Sequence, residues 1–438
     1  MLDIILTIFG ICIYIPFLVQ LFHTHWEKDK LLHQLTVALV SLELTALFHV
    51  PSVMYIATVL LITVFAVYAI VKRPTFRWTP ILIISILYGL WFAISLFWSA
   101  IPLRGARFLL DYSLPIIAFA FLSSIWSISK EDIQQCFRTF GYAGLVFIGL
   151  SLLSWGCTCA ELNILPWEWK IFGKSYINGE NAYRWIFRFN GGIWGYTHPS
   201  YNLLPLFAAT CGVMKLCKKH VIQPYISWLL WGGATMLTLL SQSRMGIVYA
   251  AIILMAGIVY WLPSKRLQLS AACVFLLIGV ALLWGTWDKW PQYDTNHNRQ
   301  KLYDVTWRYI QNKPLQGAGA GALNPIEICH TTGELYWPHV GYIDPQREVT
   351  DWQWKVHMLP HNQFMADAAH AGIIAAILSL LMYACVAVRC VRIHSYWGGV
   401  MMLIFTLFSF LEPPLYIGKG LYLFCCMICL LYTEKTIS

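Results

Sequence analysis

The stretch His361–Val388, HNQFMADAAHAGIIAAILSLLMYACVAV, decides how the chain is read. From Ala371 onward it carries no charged residue, and about twenty apolar residues in a helix cross the hydrocarbon layer of a bilayer. A polar, aromatic-rich stretch precedes it, so His361 and Asn362 stand where the chain passes from water to lipid. Histidine is the side chain that ordinarily exchanges a proton near neutral pH. Its use there depends on what the rest of the chain sets beside it.

Runs of the same kind recur along nearly all of the 438 residues, at about 2–22, 31–50, 53–71, 79–98, 108–128, 139–158, 198–217, 222–242, 244–262, 267–287, 361–388, 395–411 and 420–433. The run 31–50 is the weakest, because it contains His33, Gln34, Glu43 and His49. The expected architecture is therefore an all-α polytopic membrane protein of about twelve transmembrane helices, thirteen if 31–50 also spans. Composition agrees: 58% of residues are hydrophobic and 12% charged, against about 25% charged in a soluble domain. The net charge of +9 is scattered over short loops rather than gathered in a stripe, which speaks against a nucleic-acid partner. The first run has no basic leader and no small-residue cleavage site, so it reads as a retained anchor. Most of the thirteen cysteines lie in apolar runs, as in Cys425-Cys426-Met427-Ile428-Cys429, and suit packing. Cys157, Cys159 and Cys329 lie in or near polar loops, where a disulfide is an option on an oxidising side.

Basic residues fall on every second connection: Lys72, Arg73 and Arg77; Lys215, Lys218 and Lys219; Lys265 and Arg266; Arg389 and Arg392. The positive-inside tendency places these on the cytoplasmic side. The connections at about 99–107, 159–197, 241–246, 288–360 and 412–419 then face outward. Three regions follow: an N-terminal bundle, 1–287, with a smaller outer loop at about 159–197; a large outer loop, 288–360; and C-terminal helices, 361–438. A loop of that length is usually functional. Within it, Arg299 to Asn312 reads as a helix with Leu302, Val305, Tyr309 and Ile310 on one face. Pro314 stops it and the run Gln316–Gly321 follows.

Arg104, Arg107, Arg184, Arg188, Arg244, Arg299 and Arg308 lie on the outer side, against the charge bias. Arg244 lies between apolar runs that leave almost no loop, where an arginine is costly and usually has a partner or a task; snorkelling to the interface is the plainer alternative. For Arg299 and Arg188 the plainer alternative is a solvated position. Several arginines on one outer face suit an anionic ligand, because the guanidinium fork matches phosphate oxygens at any working pH. After His361, the residues Ala368, Gly372 and Ala376 form a small-residue face that permits close helix contact, and a base atop such a helix would be held in place. Asp367 and His370 sit deeper at i,i+3, as a structural pair or a proton path, and His357 is a second candidate base. Gly173-Lys174-Ser175 lacks the upstream glycine of a phosphate loop. The glycines of 317–321 are by themselves a weak phosphate cradle. No Asp-x-Asp pair points to a metal-bound nucleotide sugar, so no metal and no cofactor is expected.

These motifs together resemble the O-antigen ligase and polymerase superfamily, over most of the chain. His361-Asn362, nine residues, then Gly372 fits the ligase signature; Ala375 stands where the family usually has Gly, Thr or Tyr. Ser241-Gln242-Ser243-Arg244 resembles the family's membrane-edge arginine motif. Arg299, ahead of Pro314 and Gly317-x-Gly319, resembles its loop arginine, with Tyr303 where many members have Trp. Arg188 resembles a less constant third arginine. The resemblance implies a glycosyltransferase at the periplasmic face of a bacterial inner membrane, with 288–360 as the periplasmic loop before the last three helices. The donor would be a glycan on undecaprenyl diphosphate and the acceptor a hydroxyl of lipid A–core. His361 would be the base, Arg244 and Arg299 the diphosphate clamp, and Arg188 and Asn362 substrate-binding residues. A polymerase or a protein O-oligosaccharyltransferase would use the same chemistry on another acceptor. A transporter would instead call for paired ionisable residues or broken helices near the midplane.

Overall fold

The computed structural model describes residues 2–49, 51–161, 199–217, 224–241, 243–271, 294–337, 341–348 and 360–433, with isolated positions between them. Two short helices, α1 (Leu2–Gly10) and α2 (Ile15–His23), run on through a 3-10 turn. They are followed by α3 (Leu31–Ala46), α4 (Pro51–Lys72), α5 (Pro80–Ile94), α6 (Pro102–Phe108), α7 (Leu114–Ile125) and α8 (Lys130–Glu161). Then come α9 (Pro199–Cys217), α10 (Pro224–Leu240) and α11 (Arg244–Trp261). The region between the two sets of apolar helices holds α12 (Asp294–Asn312), α13 (Pro325–Thr332) and the strands β1 (Tyr336–Trp337) and β2 (Gly341–Tyr342). The chain closes with α14 (Gln363–Ala371), α15 (Ile373–Arg392), α16 (Tyr396–Ser409) and α17 (Gly418–Thr433).

Six stretches among the described residues are long and apolar enough to cross a membrane: Ile4–His23, Ser52–Lys72, Pro80–Trp98, Pro102–Ile125, Lys130–Glu161 and Ile373–Arg392. Shorter apolar helices occupy Leu203–Met214, Tyr225–Leu240, Met245–Trp261, Tyr396–Ser409 and Gly418–Thr433. These helices are apolar on both their inner and outer faces, as lipid requires of a spanning helix. In α4, Met54, Ala57, Leu61 and Phe65 form the buried stripe while Ile56, Val59 and Leu60 are exposed. Helix α17 is buried along nearly its whole length, and Cys425, Cys426 and Cys429 pack there as expected. Cys157, Cys159 and Cys329 are free thiols. Much of 267–287 lies outside the described residues.

The doubtful run 31–50 does form a helix, whereas the run 361–388 is not one continuous helix. The segment 31–50 is a 16-residue helix inside the bundle, and its polar residues have partners there. Glu43 is wholly buried and accepts a hydrogen bond from Thr58 of α4 at 3.0 Å. The segment 361–388 is two helices, α14 and α15, with the break at Gly372. There φ is +79°, and a Cβ would lie 2.1 Å from the Leu315 carbonyl oxygen. Glycine alone makes both the left-handed turn and the close approach without strain. The break frees the Ile373 amide to donate to Pro314 O at 2.8 Å, and Ala318 N donates to Ala369 O at 2.9 Å. The glycine run 317–321 is thus a seat for backbone: a Cβ on Gly317 would meet Ala369 O at 2.7 Å, and one on Gly319 would meet Ser99. This close approach of backbone is reason enough for glycine here, without a phosphate. Ala368, taken as part of a helix-packing face in the membrane, packs instead into a second core layer formed with α12 and α13.

That layer has its own apolar core. Leu302, Val305, Tyr309 and Ile310 of α12, the face expected from the sequence, meet Ile326, Ile328, Trp337, Ala368 and Ala369. Asn324 caps α13 by accepting from Glu327 N at 2.9 Å, and Gly333 ends it at φ +70°. Glu327 accepts from Tyr309 Oη at 3.0 Å and from Lys313, joining α12 to α13. One departure from an all-α chain is the two-residue antiparallel hairpin, Tyr336 opposite Tyr342.

Gly372→Ala is expected to lower the thermal midpoint in detergent, since a non-glycine residue held in a strained backbone region costs about 1–3 kcal/mol. Gly149→Ala in α8, where a Cβ meets nothing within 4 Å, is the control and should hold or raise it. Equal midpoints for the two variants would show that the break does not depend on glycine.

Candidate functional site

The site is built outward from Asn362. Its backbone is extended, its Oδ1 accepts from Phe364 N and Met365 N at 3.0 Å each, and its Nδ2 donates to Phe410 O at 3.2 Å. One side chain therefore caps α14 and ties it to the end of α16. The cap leaves His361 just outside the helix. Tyr303 of α12 donates its hydroxyl to the His361 carbonyl at 2.6 Å. Burial pushes the Tyr303 phenol up to about 12, with Arg299 opposing and Glu412 adding to the shift, so it remains a donor.

His361 Nδ1 lies 2.6 Å from Glu412 Oε2, and Arg299 Nη2 lies 2.9 Å from Glu412 Oε1. The Glu412 side chain is 5% exposed, against 27% for His361 and 33% for Arg299. An ionised carboxylate only accepts, so it selects the tautomer with the proton on Nδ1. Nε2 then carries the lone pair, and it has no hydrogen bond among the described residues. The arrangement can take a proton at Nε2 and stabilise the resulting imidazolium through Glu412, the logic of a carboxylate-oriented histidine base.

A buried network sets the spacing of the elements that bring these groups together. Gln363, next to Asn362, accepts from Leu415 N at 2.9 Å and donates to Asp367 Oδ1 at 3.2 Å. Tyr88 of α5 donates to the same carboxylate at 3.0 Å, and Tyr416 also bonds to it. Trp91 Nε1 donates to Ala371 O at 2.7 Å. Helix α14 is thereby fixed to α5 at one side and to the turn following Glu412 at the other. Asp367 and His370 do not bond each other. His370 lies against the rings of Phe108 and Tyr416, with centroids 4.8 and 5.4 Å away.

His361 and Arg299 thus share one carboxylate, and Asn362 caps the helix that begins beside them. Arg244 opens α11, with Ser243 capping it by accepting from Gly246 N at 3.3 Å; the Arg244 side chain is not among those described. Tyr249, five residues along α11, stands edge-on to Phe408 at 6.1 Å, which brings that end of α11 beside the end of α16. Arg188, Arg184 and His357 lie outside the described residues. Arg308 is paired with Asp304 and Glu334, and Arg107 with Asp111, so both have local partners. The residue that the sequence reading missed is Glu412. Its signal was a lone carboxylate between the apolar run of α16 and Pro413-Pro414; an ionisable group in such a place is a functional candidate by default.

Residues 228–380 match the model of a protein family described as O-antigen ligase. The match starts in α10, takes in Arg244, Arg299, His361, Asn362 and Gly372, and ends in α15; Glu412 lies beyond it. No curated protein matches the chain. The match spans 228–380 of the 438 residues, in a chain whose described residues include six helical stretches long and apolar enough to cross a membrane.

Asn362→Ala removes the cap and the tie to Phe410, and should destabilise by about 0.5–2 kcal/mol, the usual range for an N-cap. Asn362→Asp keeps the cap acceptor and should recover most of that loss in thermal unfolding. An alanine variant as stable as the parent would show that the cap is dispensable.

Proposed function

We propose that this chain, with an O-antigen ligase family domain over 228–380, transfers a glycan from undecaprenyl diphosphate to an acceptor hydroxyl of lipid A–core at the periplasmic face of a bacterial inner membrane. The observation that carries the reading is the contact of His361 Nδ1 with the buried Glu412 carboxylate. It turns an interfacial histidine into an oriented base with its lone pair at Nε2.

In the proposed reaction His361 Nε2 takes the proton of the acceptor hydroxyl as that oxygen attacks the anomeric carbon. The bond from the anomeric carbon to the diphosphate oxygen breaks, and the diphosphate leaves with the electron pair. A single displacement inverts the anomeric configuration. Glu412 balances the imidazolium as it forms. Arg299 and Arg244, with Arg188, hold the diphosphate and offset the charge that grows on it, where pre-placed donors act most strongly. Arg299 has one Nη on Glu412, and its remaining N–H groups are those proposed to face the phosphates. Asn362 positions His361 through the cap. No metal step is invoked, because guanidinium groups are assigned the charge work.

General base catalysis contributes typically about 10²–10⁴-fold, so His361→Ala should reduce transfer by that order while the protein still folds. In cells, a ligase predicts bare lipid A–core together with accumulated lipid-linked polymer. Core capped by a single repeat unit would identify a polymerase instead, and unchanged surface glycan would contradict both. Arg299→Lys keeps the charge and loses the fork; it should weaken donor use more than acceptor use in a purified transfer assay, whereas an equal effect on both would remove Arg299 from the diphosphate.

A further inference from the structure

At the far end of α15 from His361, a cavity of about 780 Å³ opens between the start of α5 and the ends of α15 and α17. Arg77, Arg389 and Arg392 line it together with Trp78, Ser123 and Tyr432. Its walls continue along α15 through Val388, Ala384 and Leu381. We propose that this cavity is a binding site for an anionic glycerophospholipid, in the leaflet opposite to the one that His361 faces. The proposal needs the helices to lie across a bilayer, and nothing of the chemistry at His361.

Three features lead to that ligand. Guanidinium groups from two separate parts of the chain converge on one cavity, and among the described residues no acidic side chain lines it. The cavity is within the roughly 300–1,000 Å³ of ordinary small-molecule sites. Second, backbone carbonyls hold two of the arginines in place. Arg77 donates from Nη2 to Trp126 O at 3.4 Å, and its amide to Ser124 O at 3.1 Å. Arg389 donates from Nε to Leu431 O at 3.0 Å and lies over the Tyr432 ring at 5.6 Å. A backbone carbonyl fixes the direction in which a guanidinium points. The fork is then set for phosphate oxygens.

Third, the cavity is longer than a phosphate. From Arg392 to Leu381 the lining follows α15 for about 16 Å at the helical rise of about 1.5 Å per residue. Leu381 and Val388 are exposed on the lipid-facing side of that helix. A soluble anion would use only the arginine end. A phospholipid uses both, with its phosphodiester among the arginines and an acyl chain along Val388 and Leu381. Trp78, which is exposed, and Tyr432 stand at the level where aromatic residues meet headgroups. Basic pockets between spanning helices on the cytoplasmic side have this chemistry.

The test uses the purified full chain in detergent, with phosphatidylglycerol and phosphatidylcholine offered separately. Lipid retention is read by native mass spectrometry and stabilisation by thermal midpoint. The expected result is preferential retention of phosphatidylglycerol, with a rise in midpoint, both reduced about tenfold in apparent affinity in Arg77→Ala/Arg392→Ala. The double lysine variant should retain part of the effect, and transfer activity in a lipid-saturated assay should not change. If the double alanine variant does not fold, Arg392→Ala alone, which alters an exposed side chain, should show a smaller loss of the same kind. Equal retention by parent and variant would overturn the proposal. So would an equal midpoint rise from inorganic phosphate alone, which would mark a soluble-anion site, and so would preferential capture of a prenyl diphosphate over phosphatidylglycerol.

Discussion

The arrangement depends on one buried carboxylate. Glu412 is almost wholly removed from solvent and has a donor at each oxygen, His361 Nδ1 and Arg299 Nη2. Taking a carboxylate out of water costs several kcal/mol unless partners replace the lost hydration. Three positions far apart in the chain, 299, 361 and 412, must therefore meet or the carboxylate is stranded. The same requirement has a chemical result. An ionised Glu412 allows only one useful histidine tautomer, the one with a free lone pair at Nε2. What secures the fold locally also sets the direction in which His361 can work.

The precision comes from backbone rather than from apolar packing alone. Gly372, in the left-handed region against Leu315 O, ends α14 after nine residues. Asn362 fixes the other end of α14 and reaches Phe410, two residues before Glu412. Between them Asp367 collects hydroxyls from Tyr88 and Tyr416 and the amide of Gln363. A short helix clamped at both ends and in the middle holds His361 in place, as the proposed base must be held. The spacing between His361-Asn362 and Gly372 thus has a physical cause: it is the length of that helix.

Much of this was legible beforehand. Apolar runs and low charge pointed to a helical membrane chain, and the four buried positions of α12 followed from their helical spacing. His361 was singled out from residue type and place, Arg299 and Asn362 through the family resemblance; His361 and Arg299 share the Glu412 carboxylate, and Asn362 caps the adjoining helix. Glu412 was not singled out, because nothing in the sequence tells which carboxylate will face a histidine 51 positions away. The break at Gly372 was passed over because a glycine in an apolar run also reads as a close-packing residue; only the approach of Leu315 decides between the two. The glycine run stayed a weak signal for the same reason, since a cradle for phosphate and a seat for another backbone need the same residue. The helix over 31–50 looked weak because its polar partners lie on other helices.

The central claim is that Glu412 and His361 act as one unit in transfer. Groups that act as a unit lose their effects together, so removing the second after the first costs little more. The direct measurement is the transfer rate of purified parent, Glu412→Gln, His361→Ala and the double variant, each folded by size exclusion and thermal midpoint. The account predicts that Glu412→Gln alone is strongly impaired and that the double variant is no slower than His361→Ala. Losses that multiply in the double variant, or a Glu412→Gln enzyme as fast as the parent, would contradict it.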